Sequence, residues 1–452
     1  MGRVHLRLTG GVTSAPDPGA TGGRHFVPRA PATGAEYARP DPGSSVWARP
    51  GSFLVPDRQA FGGLVSRWFP VIIAIAITLP GLALRFGAYG VNDPGRALLF
   101  GIAIVGAAFL LSWAAEVVQM DVSQGLALAL LALIAILPEY VVDASFAWLA
   151  AEDPAYAGYA VANMTGANRL LIGLAWPMVI LIVWFRTRRR SVTLGPSHGL
   201  ELVALLAATA YAFTLPFKGD LSLVDCAVLA AIFVVYVWRL TRLPAEEPHL
   251  VGPAQMIGTL PAGQRRGVTA LLAVAAAATV LLVAKPFARA LVATGTELGI
   301  DEFLLVQWLA PLASEAPEFV VVGIFAWRAA GEAALGTVVS SKVNQWTLLV
   351  GMLPLVYAIA LGEIRPLPLD GRQEQEILLT AAQSLFAVAL LLDRRLSLVG
   401  AGLLFGLFGV QFAWPNTRIE LSVLYVLLAA VTLIISRAHL AETFRGAWST
   451  PR

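Results

Sequence analysis

Two Pro-Glu dipeptides, Pro138-Glu139 and Pro317-Glu318, stand inside long apolar runs of the chain. Proline removes one helix hydrogen bond and clashes with the carbonyl four residues back. The carbonyls it frees are available as ligands, which hydrocarbon tolerates only where protein or a cavity covers them. An ionised glutamate at such a depth costs roughly 2.5 kcal/mol or more against lipid. Paired carboxylates among amide and hydroxyl oxygens suit hard cations, which prefer oxygen ligands. The surroundings of the two dipeptides are also alike. LALLALIAILPEYVVDASFAWLA followed by GYAVANMTGANRLLIGLAWP resembles FLLVQWLAPLASEAPEFVVVGIFAW followed by AALGTVVSSKVNQWTLLVGMLP. Glu139 aligns with Glu318 at an offset of 179 (318 less 139), whereas Asn163 aligns with Thr337 and Asn168 with Lys342 at 174 (342 less 168). The difference falls in a connecting loop, where insertions are tolerated.

These residues need a membrane scaffold, and the composition supplies one. Only 13% of the 452 residues are charged and 57% are hydrophobic, with mean hydropathy +0.72; soluble domains carry about a quarter charged residues. A span needs roughly 20 apolar residues. Such windows fall near 68–89, 97–119, 125–149, 158–184, 199–217 and 221–240, then 267–297, 302–328, 333–361, 377–392, 396–414 and 418–436. The expected fold is an all-α polytopic membrane protein of about 12 transmembrane helices, broken at Pro138 and Pro317, with a kink at Pro286. Four other windows separate the two Pro-Glu windows, so the repeats enter the bilayer in opposite directions, an arrangement transporters use.

The expected organisation is a disordered Pro/Gly/Arg-rich tail over 1–67 and a first half over 68–240, with its repeat at about 97–184. A polar loop over 241–266 leads to a second half over 267–436, with its repeat at about 267–361, and to a tail over 437–452. No secretory leader pattern is read at the amino terminus. Arg186, Arg188, Arg189, Arg190, Arg239, Arg242, Arg265, Arg266, Arg328, Arg394, Arg395, Arg437 and Arg445 all follow even-numbered windows. By the positive-inside rule both termini are cytoplasmic in a multi-pass cell-membrane protein. Trp68, Trp148, Trp176, Trp184, Trp327 and Trp414 lie near window ends and are expected in an interfacial belt.

Several chemistries are not encoded. Cys226 is the one cysteine, and His5, His25, His198, His249 and His439 lie outside the long apolar runs. No HExxH, Walker loop or GxSxG elbow occurs, so no enzyme and no cofactor is expected. The net charge of +3 is small and scattered, which argues against a nucleic-acid partner. The expected partners are inorganic cations and the lipid bilayer; the oligomeric state is not legible.

At the repeats the sequence resembles the cation/calcium exchanger superfamily, whose α-repeats run close to GTSLPE and then GN(V/I)(V/I)GSN on the next helix. The matching residues are Ile134 to Glu139 with Ala162 to Asn168, and Ala313 to Glu318 with Gly336 to Lys342. The resemblance implies Glu139 and Glu318 as the central cation (metal) ligands. Asn163, Asn168, Ser314, Thr337 and Ser341 are implied as supporting oxygens, and Na+, Ca2+ or H+ as transported substrates. The pattern departs at Glu315, which stands in place of Ser, and at Lys342, in place of Asn. Asp143, four residues after Glu139, shares its helix face, and Arg169 follows Asn168. These four residues would tune the charge, through the pairs Asp143 with Arg169 and Glu315 with Lys342. The implied function is secondary active cation antiport of the sodium/proton or sodium/calcium type. Read from the residues, neutralised carboxylates would let helices slide to expose the site to alternate faces, and the Lys342 ammonium, a departure from the family pattern, would act as a tethered cation in place of one bound ion. A non-transporting structural or regulatory protein on an exchanger-like scaffold is the alternative reading. Glu116, Glu201 and Asp225 are expected in structural polar contacts.

Overall fold

The computed structural model describes residues 58–87, 90–121, 136–242 and 250–437. The expected amino-terminal tail as far as residue 57, the start of the third window (122–135), part of the central loop (243–249) and residues 438–452 lie outside the described residues. Helices occupy all twelve windows, the third only from Leu137 onward. They are α1 Arg58–Phe86, α2 Asp93–Val118, α3 Leu137–Leu149, α4 Ala155–Leu170, α5 Trp176–Thr187, α6 Gly199–Ala212 and α7 Leu223–Leu240. A short α8 (Pro253–Gly258) crosses the central loop, and α9 Ala262–Leu298, α10 Glu302–Trp327, α11 Gly331–Asn344, α12 Val350–Leu361, α13 Gly371–Leu390, α14 Leu398–Ala413 and α15 Arg418–Ile435 complete the second half. Nine helical stretches of the described residues are long and apolar enough to cross a membrane. Their outward faces are apolar, as with Leu271, Val274 and Leu281 on α9 and Val423, Leu427 and Val431 on α15.

Two boundaries differ from expectation. The first helix starts at Arg58, within the expected tail, and the central loop is helical in part, with α9 beginning at Ala262 rather than 267. The short window at 377–392 is a 20-residue helix, α13. Its hydropathy is low because Gln373, Glu376, Thr380, Gln383 and Ser384 are buried; the helix faces protein rather than lipid.

The repeat extends beyond the aligned motifs. Between α4 and α5 runs one π-helical turn, Leu171–Ala175, and between α11 and α12 another, Gln345–Leu349. Both ends of the second turn follow those of the first by 174 residues (345 less 171, 349 less 175), the offset read from the motifs. One extra residue in a turn rotates the following helix face by roughly 100°, and such turns collect at functional positions. Two small antiparallel sheets also answer each other across the repeat. β1 (Ser191–Thr193) after α5 pairs with β4 (Arg395–Ser397) before α14, and β2 (Asp220–Leu221) before α7 pairs with β3 (Leu367–Pro368) after α12.

These sheets also fix which connections share a face. The β1–β4 sheet brings the exits of the fourth and tenth windows together. Arg186 donates from Nε to the Trp327 carbonyl at 3.2 Å and lies over that ring at 4.9 Å, which adds the exit of the eighth. Asp121, after α2, holds Arg265 and Arg266 at 2.7 and 2.9 Å. Those guanidiniums, Arg265 foremost, bring its carboxyl down to about 2. The contribution of this clamp is therefore present above the ordinary carboxylate range and lost only as pH falls toward 2. On other connections Glu152 pairs with Lys285 and Arg289, both at 2.5 Å, and Asp301 with Arg372 at 2.9 Å.

Close backbone approach sets the packing at the repeats. A Cβ at Gly166 on α4 would lie 1.8 Å from the Gln307 carbonyl of α10. Gln307 lies four residues before Pro311, so this carbonyl is the one whose helix partner proline removes. Only glycine lets α4 lie against it.

Candidate functional site

The helix that carries Glu139 starts where the sequence places a break. Pro138 occupies the first turn of α3, where its missing N–H would have had no helical partner anyway, and Glu139 sits in that turn. A carboxylate is favoured at the positive end of a helix. At Pro317 the expected break is absent: α10 runs as one α-helix through both Pro311 and Pro317, as α9 does through Pro286. Each proline deletes one donor, and the remaining bonds on either side carry the helix on.

Glu139, Asp143, Asn163, Asn168, Glu315 and Lys342 are all at most 2% exposed. The two halves meet through a residue that the motif comparison did not single out, Gln345 at the start of the second π-helical turn. Its Nε2 donates to Glu139 Oε2 at 3.0 Å and to Glu315 Oε1 at 2.9 Å. One amide thus bridges a carboxylate of α3 and a carboxylate of α10. Glu318 and Asp143 lie within electrostatic range of Glu139, and Ser341 reaches Glu318. Of the carboxylates of α10, Glu315 is therefore the one joined to Glu139 through Gln345, and Glu318 stands one turn further along the helix. Tyr140 adds a hydroxyl bond to Asn344 Oδ1 at 2.5 Å. Gln345 was detectable in sequence as one of two adjacent amides, Asn344 and Gln345, whose counterparts in the first repeat, Leu170 and Leu171, are apolar.

The two expected ion pairs are not formed. Asp143 Oδ1 accepts from Asn163 Nδ2 at 2.5 Å, and Arg169 turns the other way, pairing with Glu376 of α13 at 2.6 Å. Glu376 is also held by Arg418 of α15 at 2.6 Å, and the Arg169 guanidinium lies over Trp308 at 5.2 Å. Arg169 and Asp143 point apart because Arg169 lies six residues beyond Asn163, about 600° of helical rotation, which leaves it roughly 120° round the helix from the residue that Asp143 meets. Lys342 donates to Asn168 Oδ1 at 2.6 Å instead of to Glu315. Asn168 and Lys342 are equivalent under the repeat, so their contact places them at its pseudo-two-fold axis. The hydroxyls of Ser314 and Thr337 donate to carbonyls of their own helices, Ala310 and Pro311 in the first case and Ala333 in the second.

What remains at the cage is a set of acceptors. Glu139 Oε1, Asp143 Oδ2, Asn163 Oδ1, Glu315 Oε2, Glu318 Oε2 and Gln345 Oε1 are buried without a hydrogen-bond partner. All six are oxygens. Buried acceptors left unpaired are costly, and a positive ion or protons would satisfy them together. Among the described residues no group of three or more His, Cys, Asp or Glu converges tightly enough to hold a metal ion; the Gln345 amide stands between the two nearest carboxylates.

The three carboxylates expected to be structural lie apart from this centre. Asp225 closes a capping box with Ser222 and bonds Lys218 and Tyr211. Glu201 lies 3.6 Å from His198 and 3.4 Å from Ser340, and Glu116 accepts from the Val251 amide at 3.2 Å. Of the expected belt, Trp327 and Trp414 are exposed, but Trp176 is fully buried, with its indole donating to the Val338 carbonyl.

Inverted halves that bring carboxylates together inside a multi-pass helical fold define a membrane exchanger rather than an enzyme. The profile of the family described as sodium/calcium exchanger protein matches residues 94–242 and 268–415, one stretch in each half. The crystal structure of the H+/Ca2+ exchanger CAX is similar at TM-score 0.81 and 42% identity, over 84% of this chain and 98% of that one. The selenium-substituted Ca2+/H+ antiporter protein YfkE is similar at TM-score 0.54 and 12% identity, over 80% and 99%, which is a likeness of fold. No curated protein matches the sequence. The chain belongs to the sodium/calcium exchanger protein family. It is a membrane cation antiporter of that class, with inorganic cations as substrates.

Proposed function

We propose that the chain exchanges calcium for protons by alternating access at the cage of Glu139, Glu315 and Glu318, with Asp143, Asn163, Asn168, Ser314, Thr337, Ser341 and Gln345 around it. The observation that carries this reading is the set of six buried oxygens without a hydrogen-bond partner. Oxygen acceptors are the ligands hard cations take, and the same carboxylate oxygens accept protons, so the two ions compete for one site. The relative at 42% identity, an H+/Ca2+ exchanger by description, supports protons as the counter-ion over sodium. When calcium leaves, protons neutralise the carboxylates. In either loaded form the cage carries less charge, which lets α2 and α9, packed against each other and against α10 and α3, slide past the site.

The test is calcium uptake into proteoliposomes under an imposed pH gradient and, separately, under a sodium gradient. Uptake driven by the pH gradient is expected, and it should strengthen as the calcium-facing side is made more alkaline, where fewer protons hold the site. Uptake that follows the sodium gradient and ignores pH would replace this reading with sodium/calcium exchange; no uptake under either would leave the scaffold without transport.

The reading puts the protein in the cell membrane with both termini cytoplasmic, the orientation that the arginine-bearing connections favour. A reporter active only in the cytoplasm, fused after Arg452, should be active; an inactive fusion beside an active periplasmic or extracellular one reverses the topology.

A further inference from the structure

Lys342 is fully buried on α11, one turn before Gln345 and on the same face. Its ammonium donates to Asn168 Oδ1 at 2.6 Å and to the Asn168 carbonyl at 3.4 Å, and it lies 4.4 Å from the centre of the Trp346 ring. None of these partners carries a charge. The carboxylates whose charge acts on it most are Glu315 and then Glu139, the two that Gln345 bridges. A buried ammonium without an ion pair is costly unless a nearby field offsets it. Here oxygen ligands and an aromatic face hold the cation, and the field of Glu315 and Glu139 offsets part of the cost of burying it. That is how a monovalent ion would be bound at this place. The contact with its repeat equivalent, Asn168, puts the ammonium at the pseudo-two-fold axis, where it is common to both halves.

We infer that the Lys342 ammonium is a tethered cation: it permanently fills one monovalent position of the exchange site and sets how much positive charge the mobile ions bring. The inference rests on the reading of the cage as the transport site. It assigns Lys342 a role in ion preference, since a fixed positive charge opposes a divalent ion about twice as strongly as a monovalent one. Glu315 is the complementary departure from the family pattern, an added carboxylate that offsets the added ammonium.

The experiment compares wild type with Lys342→Met, which keeps length without charge, and Lys342→Arg, which keeps charge. Calcium binding to purified protein and calcium and sodium flux in proteoliposomes are measured for each. For Lys342→Met the calcium Kd and KM are expected to fall roughly tenfold or more, with the preference for calcium over sodium rising and kcat falling as the tighter ion leaves more slowly. Lys342→Arg should keep the wild-type preference. Folded Lys342→Met with unchanged Kd and ion preference would overturn the inference, as would Lys342→Arg shifting as far as Lys342→Met. If Lys342→Met does not fold, Lys342→Asn, which puts the residue of position 168 at its equivalent, carries the same expectation. Absence of wild-type flux above a Glu139→Gln control would count against the exchange reading itself, not against the charge held at Lys342.

Discussion

Replacing Glu139 by Gln is expected to abolish cation exchange while leaving the protein folded. Glu139 is 2% exposed, and one of its oxygens accepts from Gln345. The substituted amide has the same shape and can still accept that bond through its oxygen, so the fold should be kept. What is lost is a charge in the cage. A carboxylate about 3 Å from a monovalent cation contributes roughly 5 kcal/mol at an effective dielectric of 20. At about 1.4 kcal/mol per decade, that corresponds to roughly a thousandfold or more in ion binding, and more for a divalent ion. Proton-driven calcium uptake should therefore fall to the level of empty vesicles, with thermal unfolding in detergent near that of wild type. Glu315→Gln should behave similarly, because Gln345 joins these two carboxylates. Retained uptake in folded Glu139→Gln protein would remove the cage from the mechanism.

The second large effect is on stability rather than transport. Arg169→Gln strands Glu376, which is 1% exposed and otherwise held only by Arg418 among the described residues. Breaking a buried pair by deleting one partner costs about 3–5 kcal/mol, so the variant should unfold in detergent at markedly lower temperature or denaturant. Arg169→Met combined with Glu376→Leu and Arg418→Met should recover most of the loss, since apolar replacement of a whole buried triad is often close to neutral. The pairing also separates two assignments of Arg169. Folded Arg169→Gln protein should bind calcium as wild type does, because the guanidinium faces α13 and α15 rather than Asp143. A large change in calcium affinity with unchanged stability would return Arg169 to the cage.

The two clusters account for the buried charges that the repeats add to the family pattern. One, at Arg169, Glu376 and Arg418, fastens α4 to α13 and α15 and is closed by ion pairs. The other, at Glu139, Asp143, Glu315, Glu318 and Lys342, holds four carboxylates and one ammonium with oxygens left unpaired. Closed ion pairs fix helices in place. In the proposed exchange the unpaired acceptors are the oxygens at which ions would bind and leave.

Much of this was present in the sequence because it depends on local pattern. Apolar window length gave the spans, since hydrocarbon thickness sets how many residues a helix needs. The offsets of 179 and 174 gave the inverted repeat, and the second of them holds down to the π-helical turns at Leu171–Ala175 and Gln345–Leu349. Pro138 marked a helix start for a reason confined to its own turn. Partner choice was decided only in the tertiary structure. Which base meets which acid depends on the rotation of each helix and on the neighbour it packs against. Spacing along the chain thus suggested Asp143 with Arg169 and Glu315 with Lys342, whereas packing gave Asn163 to the first acid, Glu376 to the guanidinium, Asn168 to the ammonium, and Gln345 to the carboxylates of both halves. The continuous helix through Pro317 has the same origin: a proline fixes one missing bond locally, and the packing around the helix decides whether it breaks there.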